Sequence, residues 1–313
     1  MQVFSDLKEI GKKSSISSLG VHSVFQHPII LSIGNFDGVH LGHQKIFKAM
    51  QDLKTQKGSL VVLTFSNHPL EIIHPGWVVS KITPMEEKLE LFKNHKIDAT
   101  ILLQFTKQLQ NTSYIDFLKQ IKEHIPFDHL VLGKDAAFGK DQQGDEAALK
   151  NLQHQLHFKV HYVDRITEEG SVISSKIIRK KLEEGDLKAV NQFLGRNYTL
   201  FAPHHIASLQ DTGENKLKIT FDFTSHCLLP SGYYFIKIKT DEHECTAIAY
   251  MTALASDLAA KTFDLEIFIK GNKVPFMNDQ IKIEFLRKTS KINLPEDLEM
   301  TGCKIIPFNS RVI

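Results

Sequence analysis

The stretch Ile33-Gly34-Asn35-Phe36-Asp37-Gly38-Val39-His40-Leu41-Gly42-His43 decides how this chain is read. It follows the apolar, β-branched run from Pro28 to Ile33 and precedes a pattern in which Ile46, Phe47 and Met50 recur at i, i+1 and i+4. The reading is a buried strand, a glycine-rich turn and a helix start. Gly34, Gly38 and Gly42 open backbone conformations closed to other residues and leave room for a ligand beside the main chain. Unpaired amides at the helix start favour an anion. His40 and His43, three apart, then face one pocket, where imidazole N–H groups can hydrogen-bond polyphosphate oxygens and follow charge toward a departing pyrophosphate. Two plainer readings stay open here. One is a strand-to-helix turn with two surface histidines; the other is a zinc site, which has no nearby cysteine and needs a distant third ligand such as His68.

Working outward, 313 residues exceed one typical domain, so two domains are expected, each burying its own core. A net charge of +2 gives little long-range attraction for nucleic acid or a membrane surface, and neither is expected as a partner. Cys227, Cys245 and Cys303 show no metal-like spacing and fit unpaired thiols in a reducing compartment. Residues 1–20 are polar and interrupted by Lys8, Lys12 and Lys13, which is not the pattern of a signal peptide, and no apolar run reaches the length of a membrane span. A soluble, cytoplasmic protein is expected.

Residues 59–65 and 99–105 read as further strands, and 113–121 as a helix with Tyr114, Phe117, Leu118 and Ile121 on one face. In a parallel sheet the loops after the strands line the ligand-binding edge. That singles out Ser66-Asn67-His68-Pro69, where His68 either lines a pocket or steadies its loop, and the loop after the short strand 129–133. There Phe138 can pack against an aromatic ring and Asp135 can accept hydrogen bonds, although a plain polar loop is the alternative. Ile82-Thr83-Pro84-Met85-Glu86-Glu87-Lys88 reads as a helix start explained by capping and the helix dipole. Val172 to Arg179 begins a helix closed by Gly185. Its Ser174 and Ser175 can serve as caps or, with Arg179, as phosphate ligands. Beyond Tyr198 the pattern turns to strands, 216–223, 233–239, 245–251, 263–269 and 281–285, with turns at Pro230-Ser231-Gly232 and Gly271-Asn272. A small antiparallel barrel fits that spacing.

The Gly34–His43 stretch resembles the first motif of the bacterial bifunctional riboflavin kinase/FMN adenylyltransferases, the prokaryotic FAD synthetases. Its His-x-Gly-His core is shared by nucleotidyltransferases in general, and Gly-Asn-Phe-Asp-Gly-Val narrows it. The likeness recurs in order through Arg196: a Phe-x-Pro-His-Pro segment with Asn67 at its first proline, a Val-x-Gly-x-Asp-Phe-x-Phe-Gly motif with Ala136 at its first aromatic, and Ile-Ser-Ser-Thr-x-x-Arg with Lys176 at its threonine. The resemblance implies an α/β, Rossmann-like nucleotidyltransferase domain over residues 1–190 and a small antiparallel β-barrel domain over 191–313. It implies adenylyl transfer from ATP to FMN, giving FAD and pyrophosphate, with magnesium carried by ATP and no metal ligand assigned. Gly34, Asn35, Phe36, Gly38, His40, Gly42, His43, Ser174, Ser175, Lys176 and Arg179 fall at ATP-binding positions, with His40, His43 and Arg179 catalytic. His68, Asp135 and Phe138 fall at flavin-binding positions.

In the second domain Leu229-Pro230-Ser231-Gly232-Tyr233 and Leu265-Glu266-Ile267-Phe268 resemble the riboflavin kinase module, and Glu266 falls where that module has its base. The Pro-Thr-Ala-Asn segment that positions metal and ATP there is absent, and 201–228 contains only Gly213. This implies a degenerate module that keeps its barrel and loses phosphorylation of riboflavin. Two other readings are carried forward: nucleotidyl transfer to another phosphorylated acceptor, and a non-enzymatic protein that binds flavin nucleotides.

Overall fold

Apolar runs bounded by glycine and polar turns become the strands of a parallel sheet. The computed structural model describes residues 1–13, 15–17, 20–22, 24–168, 170–202, 210–211, 216–222, 226–227, 229–240, 243–253, 262–268, 281–289 and 304–305. Strands β1 (Gln2–Phe4), β2 (Ile29–Ile33), β3 (Ser59–Phe65), β4 (Ala99–Leu103), β5 (His129–Gly133) and β6 (Lys159–Val163) pair in parallel in the order β1-β4-β3-β2-β5-β6. All of β2 is buried. A strand covered on both faces reads as an unbroken apolar run, and that is what residues 29–33 are.

Side chains alternate across the sheet and so divide the core between its faces. Helices α1 (Leu41–Leu53), α2 (Met85–Asn94), α3 (Tyr114–His124) and α4 (Glu146–Gln155) supply the covers. Ile29, Leu31, Val61, Leu63, Leu130 and Leu132 pack with Phe117, Leu118 and Ile121 of α3 and Leu149 and Leu152 of α4. Ile30, Leu60, Val62 and Val131 pack with Phe47 and Met50 of α1 and Phe92 of α2. Each such buried side chain contributes about 1.5–3 kcal/mol over its exposed form. Capping sets the helix starts: Ser113 accepts from the Asp116 amide at 3.1 Å, and Asp145 from the Ala148 amide at 2.9 Å.

From β2 the chain runs outward through β3 to β4, then crosses back to β5 on the other side of β2. A crevice opens at such a switch of direction, beyond the carboxyl ends of β2 and β5, and doubly wound sheets bind ligands there. The Gly34–His43 turn leaves β2 at this point and the Lys134–Gly139 loop leaves β5.

Residues 1–79 and 85–173 form this compact unit; 80–84 and 174–313 form a second. The compact unit thus ends at Ile173, earlier than the boundary near 190 expected for the functional modules. In the second unit, α5 (Ser175–Glu184) and α6 (Leu187–Leu194) precede an antiparallel sheet of β7 (Tyr198–Ala202), β8 (Gln210–Asp211), β9 (Lys216–Asp222), β10 (Gly232–Lys239), β11 (His243–Ala253), β12 (Thr262–Phe268), β13 (Ile281–Thr289) and β14 (Lys304–Ile305). Its order is β7-β13-β10-β11-β12-β9-β8, with β14 paired to β11. Phe263, Leu265 and Ile267 are fully buried while Asp264 and Glu266 between them are half-buried, the alternation of a one-sided sheet. Gly213, the expected Gly271-Asn272 turn and Cys303 lie outside the described residues; Cys227 and Cys245 are buried thiols. Among the described residues, no helix is long and apolar enough to cross a membrane.

Candidate active site

The turn after β2 is held in a conformation that L-residues seldom adopt. Phe36 has φ 50°, Gly38 φ 87° and Val39 φ 39°. For a β-branched residue such as Val39 this costs on the order of 1–3 kcal/mol, which the surroundings must offset. The Val39 amide donates to the Phe36 carbonyl at 3.2 Å, and the Phe36 ring packs at 5.2–5.8 Å against His43, Phe47 and Phe92. Glycine makes that packing possible at Gly34, where a Cβ would stand 3.1 Å from the Phe36 ring.

His40 takes the N-cap position of α1 without using its side chain as the cap. Its buried ring stacks on His43 with centroids 3.7 Å and planes 20° apart, and a Cβ on Gly42 would stand 3.0 Å from it. The Nδ1 of His43 is enclosed with no hydrogen-bond partner. Burial, then the charges of His40 and Lys88, push the His43 imidazole well below its ordinary value of 6.5. At neutral pH it is an uncharged ring with a single N–H to donate. The pair expected from the spacing is therefore brought together, at the N-terminus of a helix of three and a half turns.

Behind the turn, the Asn35 carbonyl accepts from Lys88 Nζ at 2.9 Å and from Thr64 Oγ1 at 3.0 Å. Lys88 is only 5% exposed. The sequence pattern at this position is that of an ordinary helix start and carries no sign of the burial.

Beside the turn lies a cavity of about 380 Å³ with aromatic walls from Phe65, Phe105, Phe117 and Phe138, closed by Pro69 and Leu109. Gly34, Asn35, Asp135 and Ala136 also border it. Its size falls within the range of small-molecule pockets, about 300–1,000 Å³. Phe138 is fixed by an edge contact to Phe117 at 5.9 Å and by the 3.0 Å bond from the Gly144 amide to its carbonyl. Asp135 forms a close ion pair with Arg165. Asn67 holds the Phe105 backbone of this lining: its Nδ2 donates to the Phe105 carbonyl at 2.9 Å and its Oδ1 accepts from the Phe105 amide at 2.8 Å. Those bonds also explain why β4 ends at Leu103 rather than 105. Of the expected flavin residues, Asp135 and Phe138 meet at this cavity. His68 instead caps the short helix Pro69–Ile73, its Nδ1 accepting from the Leu70 amide at 3.2 Å. A larger hollow of about 570 Å³ at Asp128, His129, His154 and Lys159 sits at the amino ends of β5 and β6, the end where doubly wound sheets do not place ligands.

The serines of the later motif are described within the second unit. The helix begins after Ser174 rather than at Val172, because the Ser174 hydroxyl accepts from the Ile177 amide at 3.3 Å and Val172 pairs with Thr167 in a short hairpin. Ser175 opens the helix, Lys176 is exposed, and Gly185 ends it in the left-handed region at φ 75°. Arg179 is half-buried and its Nε donates to the Ser80 carbonyl at 3.1 Å. In β12, Glu266 stands in register with Tyr250 of β11 on one side and Lys218 of β9 on the other. Among the described residues, no group of three or more His, Cys, Asp or Glu side chains is placed to hold a metal ion. His68, offered above as an example of a third zinc ligand, is engaged through Nδ1 as a helix cap.

The sequence model of the FAD synthetase family matches residues 22–177. Among relatives, a bifunctional riboflavin kinase/FMN adenylyltransferase from Buchnera aphidicola is 30% identical over 70% of this chain and 72% of its own length. The Bacillus subtilis protein of the same description is 28% identical over 68% of each chain. That from Listeria monocytogenes is 34% identical over 54% of each, so the chain matches about half the length of that relative. A solved structure described as a macrolide-efflux protein from Streptococcus pneumoniae superposes with a TM-score of 0.75 over 95% of this chain and 93% of its own, at 18% identity, a likeness of fold alone. With the ordered motifs and the matching relatives, the chain belongs to the FAD synthetase family, among the bifunctional riboflavin kinase/FMN adenylyltransferases.

Proposed function

We propose that this chain transfers the adenylyl group of magnesium-bound ATP to FMN, giving FAD and pyrophosphate. The observation that carries the reading is the stacked His40–His43 pair at the start of α1, set beside an aromatic-walled cavity at the switch point of the sheet. An anion seated at a helix start meets unpaired amides and the positive end of the helix dipole. A ring system seated between Phe138 and Phe105 brings its phosphate toward that same turn.

An oxygen of the FMN phosphate attacks the α-phosphorus as the bond to the pyrophosphate oxygen breaks, so no covalent nucleophile on the protein is needed. The chain contributes orientation and donors aimed at developing charge. His40 and His43 donate N–H bonds to the polyphosphate. The neutral state of His43 suits this, because the ring meets the nucleotide as a hydrogen-bond donor whose bond strengthens as negative charge builds on the leaving group. Gly34, Asn35, Phe36, Gly38 and Gly42 shape the turn so that the main chain comes close to ATP. Ser174, Ser175, Lys176 and Arg179 are assigned to the ATP phosphates on their chemistry and their motif. Asp135 and Phe138 orient the flavin; His68 acts through its loop. Magnesium enters with ATP.

Functionally, residues 1–190 are assigned to adenylyl transfer in a Rossmann-like module and 191–313 to a barrel that has lost riboflavin phosphorylation, in a cytoplasmic enzyme. Transfer to a different phosphorylated acceptor is the second reading, and the aromatic walls of the cavity favour a flat, ring-bearing acceptor over an extended chain. Incubation of the purified chain with magnesium-ATP and FMN, with products separated by chromatography, tests the proposal. FAD is the expected product; flavin binding with no turnover points to a non-enzymatic role.

A further inference from the structure

Helix α2 brings a buried cation to the back of the candidate site. Lys88 and Phe92 are four apart and so share one face of the helix. Phe92 meets the Phe36 ring edge-on at 5.8 Å, and Lys88 Nζ donates to the carbonyl of Asn35 at 2.9 Å. The two contacts grip adjacent residues of the turn. Thr64, at the end of β3, gives the same carbonyl a second donor. Moving an ammonium out of water is costly unless it is paired or hydrogen-bonded, and a solvent-facing lysine at this point of a helix start would avoid that cost altogether. The burial of Lys88 against the turn, with Nζ on the Asn35 carbonyl and Phe92 of the same helix face on Phe36, ties α2 to the site.

We propose that Lys88 is a positioning residue for the His40–His43 pair: it ties down the turn that presents both imidazoles and sets a fixed positive charge beside His43. This rests on the adenylyl-transfer reading for its kinetic consequence only. The charges that act on the His43 ring are those of His40 in the same turn and Lys88 from α2; the acids Asp37 in the turn and Glu87 on α2 are buried. The Lys88 charge adds to burial in holding the His43 ring neutral. Removing it leaves the fold of the sheet intact but lets His43 protonate earlier and lets the strained turn relax.

The test is histidine-selective NMR titration of the full chain, with the His43 resonance assigned through His43→Gln, alongside FAD synthesis. Lys88→Met is expected to raise the His43 pKa by about one unit, the scale of one nearby charge. It is also expected to lower kcat by about tenfold, with a smaller change in the KM for FMN than in that for ATP. Lys88→Arg keeps the charge and is expected to hold the His43 pKa low. His129 and His161, remote from α2, serve as internal controls whose titration stays unchanged. An unshifted His43 in folded Lys88→Met, or Lys88→Arg behaving like Lys88→Met, overturns the proposal. Should Lys88→Met not fold, lysine-selective NMR of the unaltered chain decides: Lys88 must be a charged ammonium at pH 7, and a neutral amine overturns the proposal. The titrations read out whether or not the chain makes FAD, so failure of the functional reading is seen separately.

Discussion

The rings of His40 and His43 lie stacked at 3.7 Å because the residue between them on the inner side of the first helical turn, Gly42, has no Cβ to intrude; one placed there would come within 3.0 Å of His40. This gives an unusual expectation for Gly42→Ala. Alanine is the better helix former by about 0.5–1 kcal/mol, so stability should hold or rise, while displacement of the His40 ring should lower turnover. Thermal unfolding and steady-state rates on one preparation check it. A variant with unchanged rate shows that the stacking geometry is not needed for catalysis.

Replacing His40 or His43 with alanine should reduce FAD formation by about a hundredfold or more, the scale for removing one oriented donor to developing charge. Circular dichroism and unfolding midpoints must remain close to those of the parent. Normal turnover in a folded variant removes that histidine from the mechanism.

The depressed His43 value has a stability consequence whose direction is fixed. In the unfolded chain the ring takes up its proton near pH 6.5, whereas the folded chain resists it until lower pH. Between those values the unfolded state binds more protons, so stability falls as pH drops below about 6.5 and levels off once the folded form also protonates. His129 and His161 are shifted down by burial as well and act in the same sense. The comparison of urea midpoints between pH 7.5 and 5.5 in the parent and in His43→Gln isolates the His43 share: the parent should lose more.

Asn67 is expected to act on the acceptor side. Asn67→Ala removes both bonds to Phe105 and leaves that backbone amide and carbonyl without them, a loss of about 1–3 kcal/mol. The wall of the cavity loosens with it, so the KM for FMN should rise several-fold, as for about 1 kcal/mol of lost binding, with that for ATP little changed. An equal rise in both constants places Asn67 outside acceptor binding.

Lys176 is exposed at the start of α5 and should act on the nucleotide side. Lys176→Ala is expected to raise the KM for ATP more than that for FMN, through loss of a point charge near phosphate. A larger effect on FMN, or none, leaves it as a solvent-facing side chain.

What was legible in the sequence was what local pattern encodes. The unbroken apolar runs at 29–33 and 59–65 marked strands buried on both faces, and Ile46, Phe47 and Met50 marked the inner side of α1. The His40–His43 turn was visible because glycine spacing and helix start are properties of neighbouring residues. The features that were missed join distant ones. Lys88 finds its partner 53 residues away, Asn67 finds Phe105 38 residues away, and Asp135 finds Arg165 30 residues away. No local signal separates a buried lysine in Met85-Glu86-Glu87-Lys88 from a solvated one. His68 caps its own short helix, one of the two roles its loop position offered in the sequence.

Adenylyl transfer from ATP to FMN is tested most directly by following two labels in one reaction. The chain is incubated with FMN and magnesium-ATP labelled at the α-phosphorus, and in parallel with ATP labelled at the γ-phosphorus. The α-label should appear in FAD and the γ-label in pyrophosphate, in equal molar amounts. With riboflavin replacing FMN, neither labelled FMN nor FAD should form, whether or not Glu266 is changed to Gln. Label from the γ-phosphorus entering the flavin, or no α-label in FAD from a folded, FMN-binding protein, contradicts the account.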